Sequence, residues 1–95
     1  MGQLVERMNK KAIVIGATSG IGREVALQLA EKGWLVGIAG RRTDLLREVQ
    51  RQAPEGRIAC FRQIDITKDD ASDLLQEMIS EMGGMDLYFH SSGIG

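Results

Sequence analysis

Three glycines in the run Gly16-Ala17-Thr18-Ser19-Gly20-Ile21-Gly22 stand where a chain leaves one apolar segment, residues 12–15, and enters another with helical periodicity. Each glycine has a physical task at such a corner. Gly16 permits a sharp turn off a strand, Gly20 lets the backbone approach a phosphate, and Gly22 allows a helix to pack closely on a sheet. A helix starting near Gly20 would aim unpaired N–H groups and its positive dipole end at an anion. The segment is therefore expected to hold a dinucleotide pyrophosphate, with Thr18, Ser19 and Ile21 in the same cradle. A P-loop fits poorly, because no Lys-Ser or Lys-Thr pair follows the last glycine. The plainer alternative is that these glycines serve only a tight strand-to-helix turn.

A second charged feature follows at the distance that such a site requires. Where NAD-binding folds place an acidic residue on the ribose hydroxyls, about 20 residues beyond the glycines, this chain reads Gly40-Arg41-Arg42. Gly40 brings no carboxylate, and two guanidiniums match the extra phosphate of NADP. NADP is thus the expected cofactor in preference to NAD. Against this stands the reading of Arg41 and Arg42 as solvated residues before a helix capped by Thr43.

Composition narrows the function classes further. Twelve basic and 13 acidic residues give a net charge of −1 over 95 residues, which leaves a nucleic-acid partner without an electrostatic footprint. No apolar run approaches the roughly 20 residues that cross a bilayer, and the N-terminus has no signal-peptide core. A cytoplasmic location without membrane attachment is the expectation. The single Cys60 rules out an internal disulfide, cannot alone form a multi-cysteine metal site, and is expected to be a buried structural thiol.

Four apolar segments alternate with three amphipathic ones, the pattern of a parallel sheet with crossover helices. Strands are predicted at residues 12–15, 35–39, 58–63 and 87–90. The first helix is marked by Val25, Ala26, Leu29 and Ala30, with Gly33 as its stop, and the second by Leu45, Leu46, Val49 and Ala53, ending at Pro54 and Gly56. The third carries Ala71, Leu74, Leu75, Met78, Ile79 and Met82, with Thr67 and Asp70 as a capping pair and Gly83-Gly84 as its end. Right-handed crossovers then give β-α-β-α-β-α-β with strand order 3-2-1-4, the first half of a Rossmann-like, doubly wound α/β fold. Residues 10–95 are read as this one domain. Residues 1–9, polar and without a period, are read as a tail or leader.

On these residues the chain resembles the short-chain dehydrogenase/reductase family over residues 10–95. The glycine turn is similar to the family's T-G-x-x-x-G-x-G, with Ile15 in place of the leading Thr. Asp65-Ile66-Thr67 looks like the family's D-h-T segment, which implies that Asp65 and the backbone at Ile66 hold the adenine; a loop or capping role is the alternative for Asp65. His90-Ser91-Ser92-Gly93 falls where the family carries N-N-A-G, so Ser91, Ser92 and Gly93 would line the cofactor pocket with only the glycine retained. His90, although it titrates near neutrality, is read as structural.

The resemblance implies hydride transfer between a nicotinamide and a small alcohol or carbonyl substrate, with a Tyr, Lys and Ser as catalytic groups. No catalytic residue is assigned here. Tyr88 falls within the fourth strand and is followed four places later by Ser92 instead of Lys, so the Tyr-x-x-x-Lys pair is expected beyond Gly95, and these 95 residues are expected to be inactive alone. A non-catalytic NADP sensor is the competing class, and a sugar-nucleotide epimerase is disfavoured because its glycine turns space the later glycines more widely. A homo-oligomer, paired through the open fourth strand or through uncovered helix faces and most simply a two-fold dimer, is also expected.

Overall fold

The computed structural model describes residues 10–17, 20–65 and 68–90; the expected tail, residues 1–9, lies outside them. The elements run β1 (Lys11–Ile15), α1 (Gly20–Glu31), β2 (Leu35–Gly40), α2 (Thr43–Gln52), β3 (Ile58–Gln63), α3 (Ala71–Met82) and β4 (Leu87–His90). All strand pairs are parallel, in the order β3-β2-β1-β4. The predicted Rossmann-like half-fold is thus observed. Two strands extend one residue beyond the sequence reading: Lys11 pairs with Leu35, and Gly40 pairs with Gln63.

The direction of each crossover decides which face a helix covers. From β1 to β2 to β3 the chain steps one way across the sheet, so α1 and α2 lie on the same side; the step from β3 back past β1 to β4 reverses the direction and sends α3 to the other. Side chains that alternate along each strand separate accordingly. Val14, Val36 and Ile38 pack with Ala26, Ala30, Leu46 and Val49 of α1 and α2. Ile13, Ile15 and Ala39 pack with Met78 and Met82 of α3. Covered on both faces, β1 has Ala12, Ile13 and Val14 wholly buried, which is why it reads as an unbroken apolar run instead of an alternating one.

One irregularity escaped the sequence pattern. The register between β2 and β3 slips by a residue after Val36, so Val36 stands opposite Ile58 while Gly37 stands opposite Cys60. Ala59 is the extra residue of this bulge. Beyond the slip Cys60 and Arg62 turn toward α3, where Arg62 pairs with Glu77 and Glu81. Ile58 and Phe61, three residues apart, consequently share the opposite face.

The helix ends confirm some expectations and correct others. Gly33, at φ 93°, closes α1 by donating to the Ala30 carbonyl while Trp34 donates to Leu29, the paired bonds of a Schellman stop. Thr43 is not the cap of α2 but its first helical residue. The cap is Arg42, whose extended backbone and carbonyl accept the first helical bond from Leu46, without a capping side chain. Asp70 does cap α3 in position, yet its side chain makes no capping hydrogen bond; Thr67 lies outside the described residues.

Candidate functional site

Register brings the carboxyl ends of all four strands to one edge of the sheet. Ile15 pairs with Ala39 on one side and His90 on the other, and Gly40 pairs with Gln63. Strand order reverses between β1 and β4, and in open parallel sheets the crevice beyond such a reversal is the usual ligand site. Of the sequence-predicted positions, Gly16, Gly20, Ile21, Gly22, Arg41, Arg42 and Asp65 follow the strand ends along this edge.

The corner after β1 is held by two bonds to its neighbour. Gly16 and Ala17 both donate their N–H groups to the Ala39 carbonyl, at 2.8 and 3.0 Å. Gly16 takes φ 81°, a left-handed conformation that a side chain would strain. Helix α1 opens at Gly20, where a Cβ would meet nothing within 4 Å, so a side chain at that position would stand in open space. No acidic residue occupies the first turn of α1, which leaves its positive end uncompensated from within that turn. Gly22 is buried beneath the helix as expected, whereas Ile21 is 70% exposed at the mouth of the corner. Thr18 and Ser19 lie outside the described residues.

The end of β2 is anchored from β3. The Ile64 N–H donates to the Gly40 carbonyl at 2.9 Å, and Gln63 Nε2 donates to the Arg41 carbonyl at 3.0 Å. Arg41 therefore leaves the sheet from a fixed backbone. Arg42 Nη2 sits 3.0 Å from Asp44 Oδ2. That guanidinium holds the Asp44 carboxyl below its ordinary range, chiefly by hydrogen bonding and further by its charge. Neither Gln63 nor Asp44 was singled out from the sequence. Gln63 could have been noticed as the polar last residue of an apolar strand, and Asp44 as an acid two places after Arg42.

Asp65 follows β3 half-buried, with its carbonyl accepting from the Lys68 N–H at 2.9 Å; Ile66 lies outside the described residues. On β4, His90 is exposed with its ring 6.4 Å from that of Tyr88. The two side chains stand on a strand, and Tyr88 is not on a helix, as expected. Ser91, Ser92 and Gly93 lie outside the described residues. Among the described residues no group of three or more His, Cys, Asp or Glu could hold a metal ion, and no helix is long and apolar enough to cross a membrane.

A parallel sheet of order 3-2-1-4, with a glycine corner at its first crossover and a ligand edge at its reversal, defines a dinucleotide-binding class of fold. Residues 10–95 match the family model of the short chain dehydrogenases, and the chain belongs to that family of oxidoreductases. It is 38% identical over 89 residues to a probable 2,4-dienoyl-CoA reductase of Bacillus subtilis, covering 90% of this chain and 35% of that protein. It is 36% identical over 90 residues to a 3-oxoacyl-acyl-carrier-protein reductase of Staphylococcus epidermidis, covering 92% of this chain and 37% of the other. Among solved structures, an acetoin dehydrogenase from Enterobacter cloacae superposes with a TM-score of 0.80 at 25% identity, over 90% of this chain and 35% of that one. An actinorhodin polyketide ketoreductase with NADPH gives 0.77 at 28% identity, over 90% and 33%. The chain thus spans about a third of the length of the curated relatives it matches.

Proposed function

We propose that residues 10–95 form the NADP-binding part of an oxidoreductase that moves hydride between the nicotinamide and an alcohol or carbonyl substrate. The observation that carries this reading is the glycine corner, with Gly16 at positive φ and α1 starting at Gly20, set on the same sheet edge as Arg41 and Arg42. The donor set suits the cofactor. N–H groups at the start of α1 would bind the pyrophosphate, with Gly16, Thr18, Ser19, Gly20, Ile21 and Gly22 as its cradle. Arg41 and Arg42 would take the extra ribose phosphate of NADP, and Asp65 with the Ile66 backbone the adenine. Ser91, Ser92 and Gly93 would line the pocket after β4.

When bound, the cofactor supplies the hydride chemistry; the protein contributes position and charge. The Tyr-x-x-x-Lys pair of the family is absent from these residues, since Ser92 stands four places after Tyr88. Isolated, the chain should bind nucleotide without turning it over. We place residues 1–9 outside the domain and the protein in the cytoplasm, acting on a small-molecule substrate, with neither nucleic acid nor membrane as partner and as a homo-oligomer.

The test is calorimetric titration with NADP and NAD. Tighter binding of NADP is expected; equal affinities would remove the cofactor assignment. NADPH turnover by the isolated chain with a carbonyl substrate would show that a catalytic group had been overlooked within it.

A further inference from the structure

The two arginines at the end of β2 are held differently. Arg41 is fixed through its carbonyl by Gln63, whereas the Arg42 side chain is engaged by Asp44, one residue inside the start of α2. The Arg42 carbonyl is committed to the Leu46 N–H at 3.1 Å, so the backbone beneath this ion pair is fixed as well. Only the side chains are left to rearrange. Both are 66% exposed, and an ion pair so open to water is weak. A phosphate dianion offers the same guanidinium a stronger, two-pronged acceptor.

Resting on the cofactor reading above, we propose that Asp44 is a specificity-setting residue: it pairs with Arg42 before nucleotide binds and gives it up to the ribose phosphate of NADP, so that binding exchanges one partner for the other. Asp44 thereby lowers the preference for NADP by competing for Arg42. NAD lacks that phosphate and leaves the pair intact. Arg42 holds the Asp44 carboxyl below its ordinary range, so Asp44 is an ionised competitor throughout the physiological range.

The experiment compares NADP and NAD binding by calorimetry in the unmodified chain, Asp44→Asn, Arg42→Ala and the double variant. Asp44→Asn should tighten NADP binding about twofold to fivefold, the range that an exposed ion pair represents, and change NAD binding by less than about twofold. In the Arg42→Ala background most of that gain should vanish, since the gain is a coupling between the two side chains. If the unmodified chain prefers NADP and Asp44→Asn leaves that preference unchanged or smaller, the proposal is overturned while the cofactor reading stands. A gain of the same size without Arg42 also overturns it, because it would show simple charge repulsion. If NADP and NAD bind alike, or not at all, to both the unmodified chain and Asp44→Asn, the cofactor reading fails and this proposal with it.

Discussion

Met82 of α3 occupies the space that a side chain on Gly37 of β2 would need: a Cβ built on Gly37 would stand 2.5 Å from Met82 Sδ, with Met78 Cε at 3.2 Å and Cys60 Sγ at 3.3 Å. The helix that covers the second face of the sheet is thus seated on a glycine. Met82 is only 6% exposed and Met78 fully buried, so the close approach is part of the core.

Gly37→Ala should accordingly destabilise the fold by about 1–3 kcal/mol through overpacking, since methionine can move but three neighbours must give together. Met82→Ala should cost about 2–5 kcal/mol as a buried truncation. The double variant should cost less than the sum, because the new methyl enters the space that Met82 vacates. Chemical denaturation of the four proteins measures this, and strict additivity would mean that the two side chains do not meet.

Arg41→Asp should reverse the nucleotide preference. The change removes a cation and puts a carboxylate where NAD-binding folds use one for the ribose hydroxyls. A charge-assisted bond is worth roughly 1.5–3 kcal/mol, so NADP binding should weaken about tenfold or more while NAD binding holds or improves. Parallel loss of both nucleotides would instead indicate a general structural role for Arg41.

Elements with a strong period were legible from sequence because burial imposes that period. The apolar run at residues 12–15 marked the first strand, and the alternation of strands with helices, joined by right-handed crossovers, gave the order 3-2-1-4. What stayed hidden depends on contacts between distant segments. The bulge at Ala59 is a relation between β2 and β3 that no local pattern records. The need for glycine at position 37 is explained only once Met82, from a distant part of the chain, is laid over it. The glycine corner and the two arginines could be placed on the site edge because glycine and arginine have few equivalents for their tasks. Gln63 and Asp44 have many, and only their bonds to Arg41 and Arg42 identify them.

Cys60 should be a slow nucleophile. It is a half-buried free thiol whose pKa is pushed above the ordinary thiol range by burial, an effect that the Arg62 charge opposes in part. The sequence reading of a buried thiol is corrected in degree: Cys60 is half-buried. Because thiolate is the reactive form, iodoacetamide should modify the native chain at neutral pH at least several-fold more slowly than the urea-unfolded chain. The sign of the linked stability follows. Above pH 9 the unfolded thiol loses its proton while the folded one keeps it, so this group's contribution to stability falls as pH rises from there through the folded pKa. Equal alkylation rates in the native and unfolded chains would contradict the burial.

The final expectation concerns β4. It pairs with β1 through Leu87, Tyr88, Phe89 and His90, and among the described residues no strand pairs with its other edge. Leu87 is 39% and Tyr88 43% exposed, beside Met85 at 38%, so apolar side chains flank backbone groups that lack strand partners. Such an edge is a template for another chain. Two copies meeting edge to edge about a two-fold axis would satisfy those groups and cover the apolar side chains together. We therefore expect the 95-residue chain to self-associate at micromolar concentration, with the outward amides of β4 becoming protected from hydrogen exchange as concentration rises. Tyr88→Lys, which places a charge on the edge, should weaken association about tenfold or more if it removes one well-buried side chain from the interface. Sedimentation as a folded monomer at high micromolar concentration, with β4 exchange independent of concentration, would rule out this mode of assembly.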